Sequence, residues 1–117
     1  MAEGRRILLV EDDVLIGMML VDMFDALGLP EPAQATTNEE ALAIIESEPV
    51  DAALIDINLG DEKGWPIADA LAERNIPFAF TSGGGDVIPP AHAHRKLVTK
   101  PFRISEIEAT LDGFLAE

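Results

Sequence analysis

Residues 52–58 read AALIDIN, a short apolar run that ends in the carboxylate of Asp56. Consecutive apolar side chains of this kind are typical of a strand that is covered on both faces. A carboxylate at the end of such a strand is costly unless it has a partner or lies at an open edge. The stretch therefore predicts a buried strand that presents Asp56 at one edge of a sheet.

Strand patterns alternate with helical patterns along the rest of the chain. Further strands are predicted at Ile7–Val10, residues 77–80 and residues 97–99, with the weakest pattern at residues 33–36. Strands that alternate with helices indicate right-handed crossovers between parallel strands. We therefore predict an α/β fold, a doubly wound parallel sheet with helices on both faces.

Four helices are indicated by apolar residues at helical spacing and by capping residues. The first is predicted to bury one face made of Leu15, Ile16, Met19, Leu20, Met23, Phe24 and Leu27, with Gly28 at its C-terminal cap. Asn38 is the predicted N-cap of the second helix. The other two are marked by Ile67, Ala68, Leu71 and Ala72, and by Ile104, Ser105, Ile107, Leu111, Phe114 and Leu115. Residues 83–94 are rich in glycine and proline and are predicted to form a loop or one short turn of helix.

Polar side chains follow the predicted strands at one edge of the sheet. Glu11 and Asp12 come after the first strand, Asp56 ends the central one, and Ser82 and Lys100 follow two others. In open α/β sheets, ligands bind beyond the carboxyl ends of the strands. We therefore expect these five side chains to form one site.

Simpler explanations remain open for parts of this group. Glu11, Asp12 and Asp13 together would suit a solvated acidic helix N-terminus. Asp56 and Lys100 would suit a structural ion pair, although that pair leaves Glu11 and Asp12 unexplained. Mg²⁺ prefers oxygen ligands and would explain them.

With a metal ion present, Asp56 would be able to act as a nucleophile in phosphoryl transfer. Lys100 and the hydroxyl group of Ser82 would hold the remaining phosphoryl oxygens. Each residue is weak evidence alone, and the prediction depends on their occurrence together.

Composition and charge exclude several classes of protein. The 117 residues include 22 acidic and 8 basic side chains, and a net charge of -14 would repel nucleic acid and anionic membrane surfaces. No cysteine is present, so thiolate metal sites and thiol nucleophiles are excluded. Residues 1–6 lack the pattern of a signal peptide, and no apolar run would span a bilayer. We expect one cytoplasmic domain over residues 1–117, with no direct nucleic-acid or membrane partner.

The ordered set Glu11-Asp12, Asp56-Ile57-Asn58, Ser82-Gly83 and Lys100-Pro101-Phe102 resembles the receiver domains of two-component response regulators. The resemblance implies a flavodoxin-like (βα)5 fold whose five parallel strands have the order 2-1-3-4-5. It implies that Asp56 is phosphorylated and that Lys100 and Ser82 contact the phosphoryl group. Its implied Mg²⁺ ligands are Glu11, Asp12, Asp56 and the backbone carbonyl of Asn58.

The implied function is a phosphorylation-dependent switch or phosphate sink, with no enzymatic activity beyond self-phosphotransfer and autodephosphorylation. The implied phosphodonor is a sensor histidine kinase or a histidine phosphotransfer protein, and an unidentified downstream protein is the implied target. Two alternatives stay open. One is an aspartyl-phosphate phosphatase or phosphotransferase, a class that favours a second aspartate where this chain has Asn58. The other is a degenerate receiver that only binds proteins.

Residues 77–83, PFAFTSG, further resemble the Phe-Ala-Thr-Gly motif of a subgroup of single-domain receivers. Counting from Pro77 places Ser82, and not Thr81, at the family's switch hydroxyl. Two residues depart from the family pattern: Leu97 replaces the usual switch aromatic, and Gly60 replaces the usual proline after the phosphorylated strand.

Overall fold

The fold is known from a computed structural model, which describes residues 5–115. Residues 1–4 and 116–117 lie outside the described part, so the prediction that residues 1–6 are not a signal peptide is largely untested. Within residues 5–115, none of the helices combines the length and the apolar character needed to cross a membrane.

A sheet of five parallel strands has the order β2-β1-β3-β6-β7. These strands are β1 (Ile7–Val10), β2 (Ala33–Ala35), β3 (Ala52–Asp56), β6 (Phe78–Ser82) and β7 (Lys96–Thr99). Two short strands, β4 (Asn58–Leu59) and β5 (Glu62–Lys63), form a separate antiparallel hairpin. With the hairpin set aside, the strand order is the predicted 2-1-3-4-5, and the flavodoxin-like fold is confirmed.

Four α-helices connect these strands, and one crossover lacks a regular helix. The helices are α1 (Val14–Ala26), α2 (Asn38–Ser47), α3 (Trp65–Glu73) and α4 (Ile104–Leu115). Between β6 and β7 the chain forms only a 3-10 turn at Pro90–His92. The prediction for residues 83–94 is therefore confirmed.

Both faces of the sheet are covered because successive side chains of a strand point to opposite faces. Leu8, Ile55 and Phe80 pack with α2 and α3 on one face. Leu9 and Leu54 pack with α1 and α4 on the other. This arrangement explains why β1 and most of β3 appear in the sequence as continuous apolar runs.

The predicted buried face of α1 is wrong in two places. Leu15 is 76% exposed and Met19 is 38% exposed, whereas Leu20 and Phe24 are fully buried. An α-helix turns by about 100° per residue, so Leu15 lies roughly 140° around the helix from Leu20. The helix is apolar on more than one side, and only the side with Leu20 and Phe24 contacts the sheet.

Gly28 follows α1 with a positive φ of 73°, and the N–H of Leu29 donates to the carbonyl of Phe24, so the predicted C-terminal cap is confirmed. The predicted N-cap of α2 is wrong by one residue. Thr37 occupies that position, and its hydroxyl accepts the N–H of Glu40. Asn38 instead donates its side-chain amide to Glu62 and to the carbonyl of Lys63, which joins α2 to the hairpin.

Candidate functional site

The register of β1 and β3 brings two acidic side chains together. Val10 of β1 pairs with Ile55 of β3 in a parallel register. The residues that follow them, Glu11 and Asp56, therefore lie beside each other at the carboxyl edge of the sheet. Lys100 directly follows β7 and reaches the same place. The sheet thereby unites residues that are far apart in sequence.

Asp56 and Lys100 form the centre of the site. Lys100 Nζ lies 3.0 Å from Asp56 Oδ2 and 3.3 Å from Glu11 Oε1. Asp56 is 3% exposed and Glu11 is 5% exposed. Two buried carboxylates therefore share one cation, and Glu11 Oε1 accepts no hydrogen bond.

This crowding changes the protonation equilibria of the site. Burial, together with a hydrogen bond to Asp56, raises the pKa of Glu11 to about 7. Burial alone would lower the pKa of Lys100, but its hydrogen bond to Asp56 and the charges of Asp56 and Glu11 outweigh this and raise it. Lys100 therefore remains a cation, while the ionised form of Glu11 is disfavoured and would be favoured by a further cation at the site.

Glu11, Asp12 and Asp56 form a group that suits a divalent cation. One carboxylate oxygen from each residue lies within 4.8 Å of the others. Asp12 is exposed, and its Oδ2 accepts the N–H of Gly60 at 2.8 Å, which directs the carboxylate toward the hairpin. Oxygen donors of this charge fit Mg²⁺, and one of them, Glu11 Oε1, is buried and accepts no hydrogen bond, with the Lys100 ammonium group at 3.3 Å.

Asp13 behaves differently from its two neighbours. Its carboxylate accepts the N–H groups of Leu15 and Ile16 at 2.9 and 3.2 Å and so caps α1. The acidic-cap explanation therefore holds for Asp13, while Glu11 and Asp12 face the site.

The backbone after β3 supports the Asp56 carboxylate directly. Asp56 Oδ1 accepts the N–H of Asn58 at 3.1 Å. Gly64 packs beneath this point, where a Cβ atom would lie 3.0 Å from the backbone oxygen of Asp56 and 3.0 Å from Ile55 Cγ2. Asp56 is thus held by local backbone contacts as well as by Lys100.

Ser82, the last residue of β6, is fully buried. Its hydroxyl accepts the N–H of Gly84 at 2.9 Å and donates to Asp86 Oδ2. Asp86 also accepts two hydrogen bonds from Asn58 Nδ2, at 3.0 and 3.2 Å. Lys63 donates to Asn58 Oδ1 and lies 3.6 Å from Asp86 Oδ1.

Sequence reasoning missed Asp86 and Lys63. Asp86 belongs to a glycine-rich loop, and Lys63 belongs to a strand of two residues, so neither has a periodic pattern around it. The only available signal is an acid four residues after Ser82. Glu11, Asp12, Asp56 and Lys100 were predicted to meet and are together, whereas the Ser82 hydroxyl is engaged by Asp86.

A family model described as the response regulator receiver domain matches residues 7–112. The chain belongs to this family. As a receiver domain, it is a phosphoacceptor module of two-component phosphorelays. The resemblance found in the sequence is confirmed, while the Phe-Ala-Thr-Gly subgroup stays a prediction.

Individual relatives agree with this assignment. The regulatory protein VirG of Rhizobium rhizogenes is 27% identical over 97% of this chain and 49% of its own length. The solution structure of SdrG from Sphingomonas melonis Fr1 is 39% identical, with a TM-score of 0.83, and covers 99% of this chain and 100% of that one. The BeF3-activated conformation of SdrG from Pseudomonas melonis Fr1 is 40% identical, with a TM-score of 0.79, over 95% and 96% of the two chains. The receiver spans about half the length of the curated relatives it matches.

Proposed function

We propose that Asp56 is the phosphoacceptor of this receiver. The observation that supports the proposal is the meeting of Asp56 with Lys100 at 3.0 Å and with two further acidic side chains at the carboxyl edge of the sheet. A structural ion pair would need only Asp56 and Lys100. The additional carboxylates make the site unfavourable without a cation, which is expected of a metal-assisted phosphoryl site.

The reaction requires an oxygen of the Asp56 carboxylate to attack the phosphorus atom of a phosphohistidine. The oxygen–phosphorus bond forms while the phosphorus–nitrogen bond breaks, and the imidazole keeps the electron pair. Lys100 stabilises charge on the phosphoryl oxygens because its ammonium group already lies beside Asp56. The Ser82 hydroxyl supplies a second contact to the phosphoryl group.

Mg²⁺ would be held by Glu11, Asp12, Asp56 and the backbone carbonyl of Asn58. When bound, it would offset the negative charge of the phosphoryl oxygens. The N–H of Gly60 holds Asp12 through Oδ2, and an Asp12 carboxylate oxygen lies within 4.8 Å of Glu11 and Asp56 oxygens. Glu11 contributes a buried carboxylate that gains most from a nearby cation, because water does not solvate it.

The receiver acts as a switch and not as a phosphatase. Aspartyl-phosphate phosphatases favour a second aspartate two residues after the nucleophile, and Asn58 stands there. Its side-chain amide donates to Asp86, and an amide is unable to serve as a general acid–base. Self-phosphotransfer and autodephosphorylation are the only reactions that we assign.

The phosphodonor is a sensor histidine kinase or a histidine phosphotransfer protein, and a patch on α1 provides a place for it to dock. This α1 patch consists of Val14, Leu15, Met18 and Met19, all exposed. A groove of about 390 Å³ adjoins the patch and is lined by Ile16, Met19, Gly83, Lys100, Pro101 and Phe102. An apolar donor surface seated there would bring its phosphohistidine to the mouth of the site.

The target of the phosphorylated form is a protein, since the charge of -14 opposes binding to nucleic acid. The cytoplasmic location and the single domain over residues 1–117 stay predictions of the sequence.

Mass spectrometry after incubation with acetyl phosphate and Mg²⁺ tests the proposal. The wild-type chain should gain one phosphoryl group, and Asp56→Asn should gain none. Asp51→Asn, which removes another carboxylate on the approach to β3, is the matched control and should be phosphorylated like wild type. Equal phosphorylation of the wild-type and Asp56→Asn chains would rule out Asp56 as the acceptor, and an unmodified wild-type chain would favour the degenerate receiver.

A further inference from the structure

The Ser82 hydroxyl already has hydrogen-bond partners in the unphosphorylated chain. It donates to Asp86 Oδ2 and accepts the N–H of Gly84, and no part of Ser82 reaches solvent. A hydroxyl group has one proton and donates one hydrogen bond at a time. Any new acceptor for Ser82 must therefore displace Asp86.

Asp86 is itself held on several sides. Asn58 Nδ2 donates to both of its carboxylate oxygens, and Lys63 Nζ lies 3.6 Å from Oδ1. The Asp86 side chain is only 14% exposed. The hydrogen bonds from Ser82 and Asn58 lower the pKa of Asp86, so the group is a carboxylate and a strong acceptor.

These contacts connect the loop after β6 to the hairpin after β3. Asn58 lies two residues beyond Asp56 and donates its backbone N–H to that carboxylate. The same residue therefore touches Asp56 through its backbone and Asp86 through its side chain. The structure therefore connects Asp56 to Asp86 through Asn58.

We propose that Asp86 is an intramolecular competitor for the Ser82 hydroxyl, which it holds in the unphosphorylated chain and releases when Asp56 carries a phosphoryl group. The inference rests on the proposed function, in which Ser82 contacts the phosphoryl oxygens. A phosphoryl group is an anionic acceptor, so it competes for the same proton and also repels the Asp86 carboxylate. Asp86 is a positioning residue, because it acts through Ser82.

Loss of the Ser82 bond, together with repulsion between the phosphoryl group and the Asp86 carboxylate, frees the segment that carries Asp86. Gly84 and Gly85 precede Asp86 with φ values of 109° and 80°, and glycine tolerates the backbone changes that the release requires. Residues 83–88 would then occupy a different position in the phosphorylated form. The two positions differ in their contacts to Ser82, which is the requirement for phosphorylation to shift the population.

The energetic consequence can be measured with a phosphoryl analogue. Breaking a charge-assisted hydrogen bond opposes binding of the analogue, so removal of Asp86 should tighten binding by about tenfold. If Asp86 served only to order its loop, its removal would weaken binding or leave it unchanged.

The experiment is a titration of the chain with beryllofluoride and Mg²⁺, followed by amide NMR. Asp86→Ala should bind about tenfold more tightly than wild type, and the nearly isosteric Asp86→Asn should lie between them. Asp61→Asn removes the same charge from an exposed position in the hairpin turn and should match wild type. In wild type, the side-chain amide resonances of Asn58 should shift on saturation, since they lose Asp86.

A Ser82→Ala background separates competition from charge repulsion. In that background, Asp86→Ala should lose most of its tightening, because no hydroxyl proton remains to be shared. If well-folded Asp86→Ala and Asp86→Asn chains bind beryllofluoride no more tightly than wild type, the inference is overturned and the proposed function is unaffected. A wild-type chain that binds no beryllofluoride would overturn the proposed function and the inference with it.

Discussion

Gly64 shows how a single position without a side chain supports the site. A Cβ atom there would lie 3.0 Å from both the Asp56 backbone oxygen and Ile55 Cγ2. Neither neighbour moves easily, because one is strand backbone and the other is a branched side chain in the core. The absence of a side chain at Gly64 therefore allows this residue to pack closely against the end of β3.

We predict that Gly64→Ala lowers the free energy of unfolding by about 1–3 kcal/mol, the usual cost of forcing atoms into a packed core. Gly113→Ala is the matched control, because a Cβ atom at Gly113 in α4 meets nothing within 4 Å. That control should stabilise the chain by up to about 1 kcal/mol, since alanine favours helix. Urea unfolding measures both, and equal effects would contradict the packing explanation.

Glu11 is the residue whose charge state should couple metal binding to pH. Its pKa is raised from 4.5 to about 7 in the folded chain. Without metal, the stabilisation from protonated Glu11 is fully present below pH 4.5 and is lost as the pH rises to about 7. Bound Mg²⁺ favours the ionised form, so metal binding should release a proton in this pH range.

We predict that the dissociation constant for Mg²⁺ increases by up to about tenfold per pH unit as the pH falls below about 7. Trp65, which packs edge-on against Phe80, offers a fluorescence signal for the titration. Glu11→Gln should bind Mg²⁺ weakly with a flatter pH dependence, and Asp12→Ala should lose most binding at every pH. An unchanged pH dependence in Glu11→Gln would exclude Glu11 as the proton source.

At the scale of elements, helix α1 has apolar side chains on two sides, one packed against the sheet and the other exposed to solvent. Leu20 and Phe24 pack against the sheet, while the α1 patch faces solvent with Val14 at 70% and Met18 at 59% exposed. An exposed group of large apolar side chains is unfavourable in water unless a partner covers it. The patch lies beside the groove that contains Lys100, which supports our proposal that the phosphodonor docks there.

We predict that Leu15→Ser combined with Met18→Ser slows phosphotransfer from a kinase that serves the wild-type chain by at least tenfold, since apolar anchors dominate binding energy. Phosphorylation by acetyl phosphate should stay within about twofold of wild type, because Asp56 and Lys100 are unchanged. Ala43→Ser, on an exposed position of α2, is the control. Equal slowing with both donors would show damage to the site and not loss of docking.

The segment between β6 and β7 has one feature that the sequence predicts and one that only the folded chain shows. Pro89, Pro90 and the preceding glycines exclude a regular helix, and the sequence alone was sufficient to predict this. The same segment nevertheless contains His92, which is buried and lies 2.7 Å from Asp69 through Nε2. That contact depends on α3 passing nearby, and no local pattern indicates it.

For the molecule as a whole, the topology of the chain brings the site residues together. Five parallel strands in the order β2-β1-β3-β6-β7 place the ends of β1, β3 and β7 close together, although Glu11 and Lys100 are far apart in sequence. Apolar runs, their alternation with helices and the polar residues after the strands predicted the α/β class and the position of most site residues, while the strand order was implied by the resemblance to receiver domains. These features can be recognised in short stretches of sequence. Burial of apolar side chains is favourable wherever they occur in the chain, so the local pattern is sufficient to predict the element.

The sequence by itself determined the α/β class, the position of Asp56 at a strand end and its meeting with Glu11, Asp12 and Lys100, because strand polarity and burial specify them. Only the tertiary structure decided which side of α1 is exposed, that Thr37 caps α2, and that Asp86 and Lys63 close around Ser82 and Asn58. Those outcomes depend on which of several chemically similar groups lies within contact distance of a partner in the folded chain. A hydrogen bond between loop residues has no periodic pattern in the sequence, so its partners become known only when the chain is folded.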